Sequence, residues 1–415
     1  MTRKLIVCFD GTGNEIEKKE SNVLRLYKCL DHSADQMVYY EPGVGTGNSR
    51  KLSGGFLSTP RRILGLIAGK GLEANVLHAF NFLCNNYRKG DQLYFFGYSR
   101  GAYTARVLAG FINDFGLVAP HETHLVAPVF KAWRKLAKGD PRRKYAPLRI
   151  YEQFFHVTHP SIRFLGLWDT VSSLIRIRLQ WGTFIEFGTH SSVDINPSVQ
   201  AVRHALAIDE TRRYFRHQFW KEGEPFYGAR KKPKKVRKSK VFPVQDVKQV
   251  WFPGTHTDIA GSLPESEAGL PKISMHWMRQ ELDNLDENPL KFRDDYYNRY
   301  VLGVADEITK EMELEISPPS AVAPIHSQIR KGWFLVEIFP RLIRRCRWPD
   351  IKGLFGYYLP LAQPRYIPPG AEIHSSAYER AAAPECDYFP TNLPGIQTIG
   401  NEEAADFSDR TSPSA

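Results

Sequence analysis

Residues Leu93–Gly110 read LYFFGYSRGAYTARVLAG: a short apolar run, then Gly97-Tyr98-Ser99-Arg100-Gly101, then small residues at helical spacing. This order predicts a buried strand that turns sharply into a helix, with Ser99 at the apex. A turn that tight folds the backbone over itself, so the positions two before and two after the apex must lack bulk. Gly97 and Gly101 occupy those positions, and Ala102, Ala105 and Ala109 give the helix a small face to lay against a sheet. The G-x-S-x-G string alone arises often by chance; the strand before it and the helix after it give it weight. Ser99 is thus a candidate nucleophile, and a purely structural turn is the competing reading.

Outward from this stretch, strand-like and helix-like segments alternate, which predicts an α/β domain. Lys4–Phe9 is an apolar strand ending in Asp10-Gly11-Thr12-Gly13-Asn14, and Ser21–Leu30 a capped helix. Met37–Tyr40 is a second strand, broken by the Gly43–Gly47 loop. Gly71–Tyr87 carries Leu72, Val76, Ala79, Phe80 and Leu83 on one helical stripe. Arg163–Trp168 and Val247–Phe252 are further strands, and Met275–Leu285 a helix. The expected architecture is α/β-hydrolase-like: a mostly parallel central sheet flanked by helices, with cap insertions. One catalytic domain is expected over 1–395, with cap-like insertions at about 118–160 and 270–362, a basic loop at 229–241 and a disordered tail at 396–415.

Composition agrees with a large decorated domain. The chain has 415 residues, 42% of them hydrophobic, enough for a sizeable core. The start, MTRKLIVCFDG, offers too short an apolar run for a signal peptide. With no run long enough to span a membrane, a cytoplasmic protein is expected, and export without a cleaved signal is compatible. Five scattered cysteines without C-x-x-C spacing predict neither a disulfide framework nor a zinc site. No cofactor or metal is expected; Asp10 lacks the clustered partners of a cation ligand.

The net charge of +11 is concentrated. Arg230–Lys240, RKKPKKVRKSK, holds eight basic residues and no acidic one, leaving about +3 elsewhere. The run reads as an exposed excursion, either merely solvated or drawn to anionic lipid headgroups. It contains no aromatics to stack on bases, so nucleic acid is not an expected partner.

A nucleophilic serine needs a base, and the base an orienting acid. The strand Arg163–Trp168 ends in Asp169, and Val247–Phe252 leads into Pro253-Gly254-Thr255-His256, so both emerge at strand ends in the order serine, acid, histidine. His256 is the candidate base, ahead of His78 and His204. Asp169 is the candidate acid, with Asp209 as its rival. Asp258 is read as a support that bonds its own loop. Oxyanion donors are expected from the Arg100 amide and from Gly11 or Thr12 in the loop headed by Asp10. The Gly43–Gly47 loop lacks the features of a phosphate-binding loop and reads as a turn bordering the site.

Taken in order, FDGTGN, YYEPGVGTGN, GDQLYFFGYSRGAYTAR, LGLWDTV, HALAIDETRR, WFPGTHTDIAG and IHSSAYER resemble the motifs of the type VI secretion phospholipase effector catalytic domain, an α/β-hydrolase family. The resemblance runs from Leu5 to about Pro394. It implies Ser99, Asp169 and His256 as a catalytic triad and hydrolysis of carboxylic esters in phospholipids or related lipids. One departure is Ala260-Gly261, where the family commonly has a Gly-Gly pair. The stretch Gly332–Leu361 interleaves Trp333, Phe334, Phe339, Trp348, Phe355, Tyr357 and Tyr358 with arginines. It reads as a cap packed on the main domain, with a membrane-interface role as the alternative. Against the enzyme stands one other class: a catalytically silent hydrolase fold, recruited to anionic surfaces as a scaffold.

Overall fold

The computed structural model describes residues 2–11, 19–43, 71–135, 146–171, 175–176, 186–187, 193–212, 215–228, 242–285, 288–327, 341–342, 348, 351, 354, 357–359 and 361–393. Thr12, most of the Gly43–Gly47 loop, Arg230–Lys240, much of the aromatic stretch and the tail lie outside the described residues.

Seven strands form one sheet: β1 (Lys4–Phe9), β2 (Gln36–Glu41), β3 (Gln92–Tyr98), β4 (Ile162–Trp168), β5 (Val199–Ala207), β6 (Asp246–Phe252) and β7 (Glu372–Ile373). The spatial order is β7-β6-β5-β4-β3-β1-β2, and every pairing is parallel. Parallel strands need crossovers that cover both faces, so the strands are apolar on both sides rather than alternating. In β1, Leu5, Val7 and Phe9 join one core with α2 (Leu72–Asn86) and α3 (Arg100–Asp114). Ile6 and Cys8 point to the opposite core, with α1 (Asn22–Cys29) and, later in the chain, the helix Gly269–Asp283. Ala102, Ala105 and Ala109 are fully buried, which lets α3 lie close on the sheet.

The chain runs outward from β1 to β2, returns across β1 to β3, and then proceeds through β4, β5, β6 and β7. Strand order therefore reverses between β1 and β3, the place where open α/β sheets leave a crevice at their carboxyl ends. Registers Phe9↔Gly97, Tyr98↔Trp168, Trp168↔Ala205 and Ala207↔Phe252 align those ends. Asp10, Ser99, Asp169, Asp209 and the loop to His256 consequently leave the sheet along one edge.

Two elements differ from the sequence reading. Strand β5 lacks a clean apolar signature because Arg203 and His204 interrupt it. Both are nonetheless buried: Arg203 reaches Glu281 at 2.5 Å and Asp246 at 2.7 Å, and His204 Nε2 accepts the Thr170 amide at 3.1 Å. The helix expected at Met275–Leu285 begins earlier, at Gly269, with Pro271 in its first turn, where a missing N–H costs nothing. In the region read as a cap after residue 118, helix α4 (Val126–Lys135) sends Val126, Val129, Phe130 and Trp133 into the core beside Phe111 and Phe115. Among the described residues, no helix is long and apolar enough to cross a membrane.

Candidate active site

Ser99 sits between β3 and α3 with φ 57° and ψ −116°, a conformation that L-residues rarely adopt and that surrounding structure must enforce. Its amide donates to Trp168 O at 2.9 Å, and its carbonyl accepts from the Tyr103 amide at 3.2 Å, which ties the turn to both neighbours. A Cβ on Gly97 would lie 2.5 Å from the Gly101 backbone, and one on Gly101 would lie 2.1 Å from the Phe9 carbonyl oxygen. Both glycines are therefore required by close backbone approach. The second contact also presses the start of α3 against the end of β1.

His256 opens the short helix α5 (His256–Ala260) after the loop from β6. Its Nε2 lies 2.8 Å from Ser99 Oγ, and its Nδ1 lies 2.5 Å from Asp169 Oδ2. The three side chains thus form one hydrogen-bonded line from a strained serine to a fully buried carboxylate. Ser99 keeps 8% exposure, a narrow opening at an otherwise enclosed group. The imidazole is boxed by aromatic rings: Tyr98 with its centroid at 4.9 Å, and Phe215 edge-on at 5.0 Å.

The loop carrying His256 is held by Asp258. Its Oδ2 accepts from the Thr255 amide and hydroxyl, both at 2.8 Å, and from the His326 amide at 3.1 Å, while Oδ1 meets His326 Nδ1 at 2.7 Å. Gly254, at φ 112°, leaves room for it; a Cβ there would sit 2.5 Å from Asp258 Cβ. Ala260 is the last helical residue, and the positive φ of 89° falls on Gly261, so alanine at 260 meets no conformational conflict.

Asp169, also at positive φ (44°), donates its amide to Ala205 O at 2.8 Å. Burial alone would raise its carboxyl, but the Arg365 guanidinium and the His256 hydrogen bond hold it far below the usual carboxylate range. Arg365 meets Asp169 Oδ1 at 2.5 Å and Oδ2 at 2.9 Å. A second buried ion pair lies beside it: Arg212 grips Glu210 at 2.9 and 2.7 Å, and Glu210 Oε2 faces the His256 amide at 3.4 Å.

Asp209, the rival acid, is placed differently. Its carboxylate accepts from the Gly254 amide at 2.6 Å and from Tyr388 Oη at 2.9 Å, anchoring the start of the histidine loop. Burial pushes it up to about 6. Neither rival base joins Ser99: His78 is exposed and meets Glu41 at 3.3 Å, and burial drives the His204 imidazole down to about 3, leaving it a neutral acceptor.

The Asp10 carboxylate ties three elements together, accepting from Ser21 Oγ and Tyr40 Oη at 2.7 Å each. It also accepts from the Gly11 amide at 2.6 Å. The Gly11 amide, expected as an oxyanion donor, is therefore engaged by its neighbour's side chain. The Arg100 amide follows Ser99 at the first residue of α3, and burial lowers the Arg100 guanidinium to about 10. As to metals, His121, Glu122 and His156 bring ligand-type atoms within 4.8 Å of one another, away from this strand edge. Glu122 there already accepts the amides of Ala119 at 3.2 Å and His156 at 3.0 Å.

Sheet order, its reversal between β1 and β3 and the strained serine turn define an α/β-hydrolase-like protein. Within that class the chain belongs to the family described as T6SS, phospholipase effector Tle1-like, catalytic domain, which matches residues 3–281. It is also similar to the uncharacterized protein YEL023C of Saccharomyces cerevisiae, at 30% identity over 231 residues, 52% of this chain and 32% of the relative. Among solved structures, an uncharacterized protein from Pseudomonas aeruginosa aligns with TM-score 0.34 at 17% identity, over 76% of this chain and 49% of that one. A Tle1 effector bound to the VgrG spike of the type 6 secretion system aligns with TM-score 0.30 at 17% identity, over 64% and 52%. The chain thus spans about a third of the yeast relative and about half of each solved chain.

Proposed function

We propose that this protein is a serine hydrolase that cleaves carboxylic ester bonds in phospholipids or related lipids through Ser99, His256 and Asp169. The observation carrying the reading is the unbroken line Ser99 Oγ to His256 Nε2 to Asp169 Oδ2, at 2.8 and 2.5 Å. Ser99 Oγ attacks the ester carbonyl while His256 takes its proton, and Asp169 keeps Nδ1 protonated so that Nε2 is the free acceptor. The tetrahedral oxyanion is met by the Arg100 amide, a contribution of about 3–4 kcal/mol for one well-placed donor. His256 then protonates the departing alkoxide, and a water activated by the same imidazole resolves the acyl-enzyme. Lipid as substrate class rests on membership of the phospholipase effector family. The basic run Arg230–Lys240 would add attraction to anionic headgroups that weakens with salt.

The test is labelling with a fluorophosphonate probe, together with digestion of a mixed phospholipid vesicle and mass analysis of the products. Wild type should label and release fatty acid, and Ser99→Ala should do neither. A wild type that neither labels nor hydrolyses, matched by the variant, would leave the silent scaffold as the correct class.

A further inference from the structure

Arg365 enters the site from a Pro-rich segment late in the chain, beyond the residues that the family matches. It is fully buried, and its guanidinium forks onto both oxygens of Asp169, at 2.5 and 2.9 Å. The rest of the fork is fixed by backbone: Nη1 donates to Ala207 O at 3.2 Å, and Nη2 donates to Phe215 O. The segment is itself pinned. Arg216 donates to the carbonyls of Gln363 and Pro364 at 3.0 and 3.1 Å, and Asn392 donates to Arg365 O at 3.0 Å. Asp169 Oδ2 is therefore shared between a permanent cation and the His256 imidazole.

Building on the Ser99 reading above, we propose that Arg365 is a positioning residue whose buried charge balances Asp169, so that the Asp169–His256 pair stands deprotonated and ready as a base at lower pH than it otherwise could. The state able to accept the serine proton is carboxylate plus neutral imidazole. With Arg365 present, that state is electrically neutral as a cluster, and adding a proton creates a net buried positive charge. Without Arg365, the same state carries an unbalanced buried negative charge, and adding a proton neutralises it. Burial disfavours net charge, so Arg365 weakens the pair's hold on its proton, whichever of the two groups carries it. The other groups facing the pair leave this sign intact. Glu210 and Arg212 cancel each other, His204 is a neutral acceptor to Thr170, and the buried Tyr98 phenol is held protonated by desolvation. The fork also fixes the carboxylate plane, which a single lysine ammonium cannot do.

The experiment compares wild type, Arg365→Gln and Arg365→Lys by the pH profile of kcat/KM on a soluble ester and by ring nitrogen NMR of His256, assigned through His256→Asn. In Arg365→Gln the acid limb should move up by about one pH unit or more, with activity partly regained at alkaline pH. The NMR titration of the pair should move with it. In Arg365→Lys the limb should stay within about 0.3 unit of wild type while the plateau falls several-fold. A limb and NMR titration unmoved in Arg365→Gln, with only the plateau lowered, would overturn the proposal and leave Arg365 a packing residue. If Arg365→Gln does not fold, Arg365→Lys decides: a limb displaced by a full unit despite the retained charge overturns it. If wild type has no esterase activity, the hydrolase reading falls and the NMR titration alone decides the role of Arg365.

Discussion

Asp169 and Asp209 leave the carboxyl ends of neighbouring parallel strands, both sit within the same wall of the site, and they are held in opposite ways. Asp169 faces a guanidinium and an imidazole, so its charge survives full burial. Asp209 faces an amide and a phenol, neutral donors that do not offset the loss of water, and it is pushed up to about 6. The difference shows that position at a strand end does not decide whether a buried carboxylate keeps its charge; the partner that compensates that charge does.

The largest way to break this comparison is Asp169→Asn. The amide keeps the shape of the carboxyl but can present its NH₂ to Nδ1, favouring the wrong imidazole tautomer, so kcat/KM should fall about 10³- to 10⁴-fold with the fold retained. Turnover of a soluble ester measures it, and near-normal activity would remove Asp169 from the role.

A third carboxylate sharpens the contrast. Asp10, at the end of β1, gathers Ser21, Tyr40 and the Gly11 amide. Asp10→Asn should loosen the end of β1 that packs against Gly101 of the serine turn and lower kcat about 10- to 100-fold with little change in KM, because a small misplacement of Ser99 costs more in reaction than in binding. Steady-state kinetics reads the split; a change confined to KM would assign Asp10 to substrate binding instead.

How much of this was legible in the sequence follows the same divide between local and distant partners. Gly97, Gly101, Asp169 and His256 could be read because each lies within a few residues of a strand end, and strand ends announce themselves by an apolar run stopping at glycine or a polar residue. Strand β5 was hidden because buried Arg203 and His204 look like surface residues until Glu281, Asp246 and Thr170 are brought to them. His326 and Arg365 were hidden more deeply. Each meets its aspartate across 68 and 196 residues of chain, and neither His326 nor Arg365 stands in a motif that would mark it. The bond of the Gly11 amide was hidden for the opposite reason: its partner, Asp10, is adjacent, but only the rotamer decides that the side chain turns back on the backbone. Local signals placed Ser99, Asp169 and His256 at strand ends; the charges that surround them come from tertiary contacts that no local pattern encodes.

The smallest effect tests the other half of the comparison, at Asp209. Because its carboxyl is raised from 3.8 to about 6 in the folded protein, the native state binds more protons than the unfolded chain between those values. Its contribution is therefore most favourable below about pH 4 and is lost as pH rises through 6, the reverse of Asp169, whose lowered carboxyl supports the fold above the usual carboxylate range. Asp209→Asn stays neutral throughout and can still accept from the Gly254 amide and Tyr388 through its carbonyl oxygen. Relative to wild type, it should gain about 1–2 kcal/mol of stability at pH 7 and almost none at pH 4, after allowing for the partial exposure of the group. Denaturant unfolding at the two pH values measures this, with ester turnover expected to stay within about fivefold of wild type. Equal effects at both pH values would mean that folding does not raise the Asp209 carboxyl. A turnover loss approaching that of Asp169→Asn would mean that the two strand ends share the acid role after all.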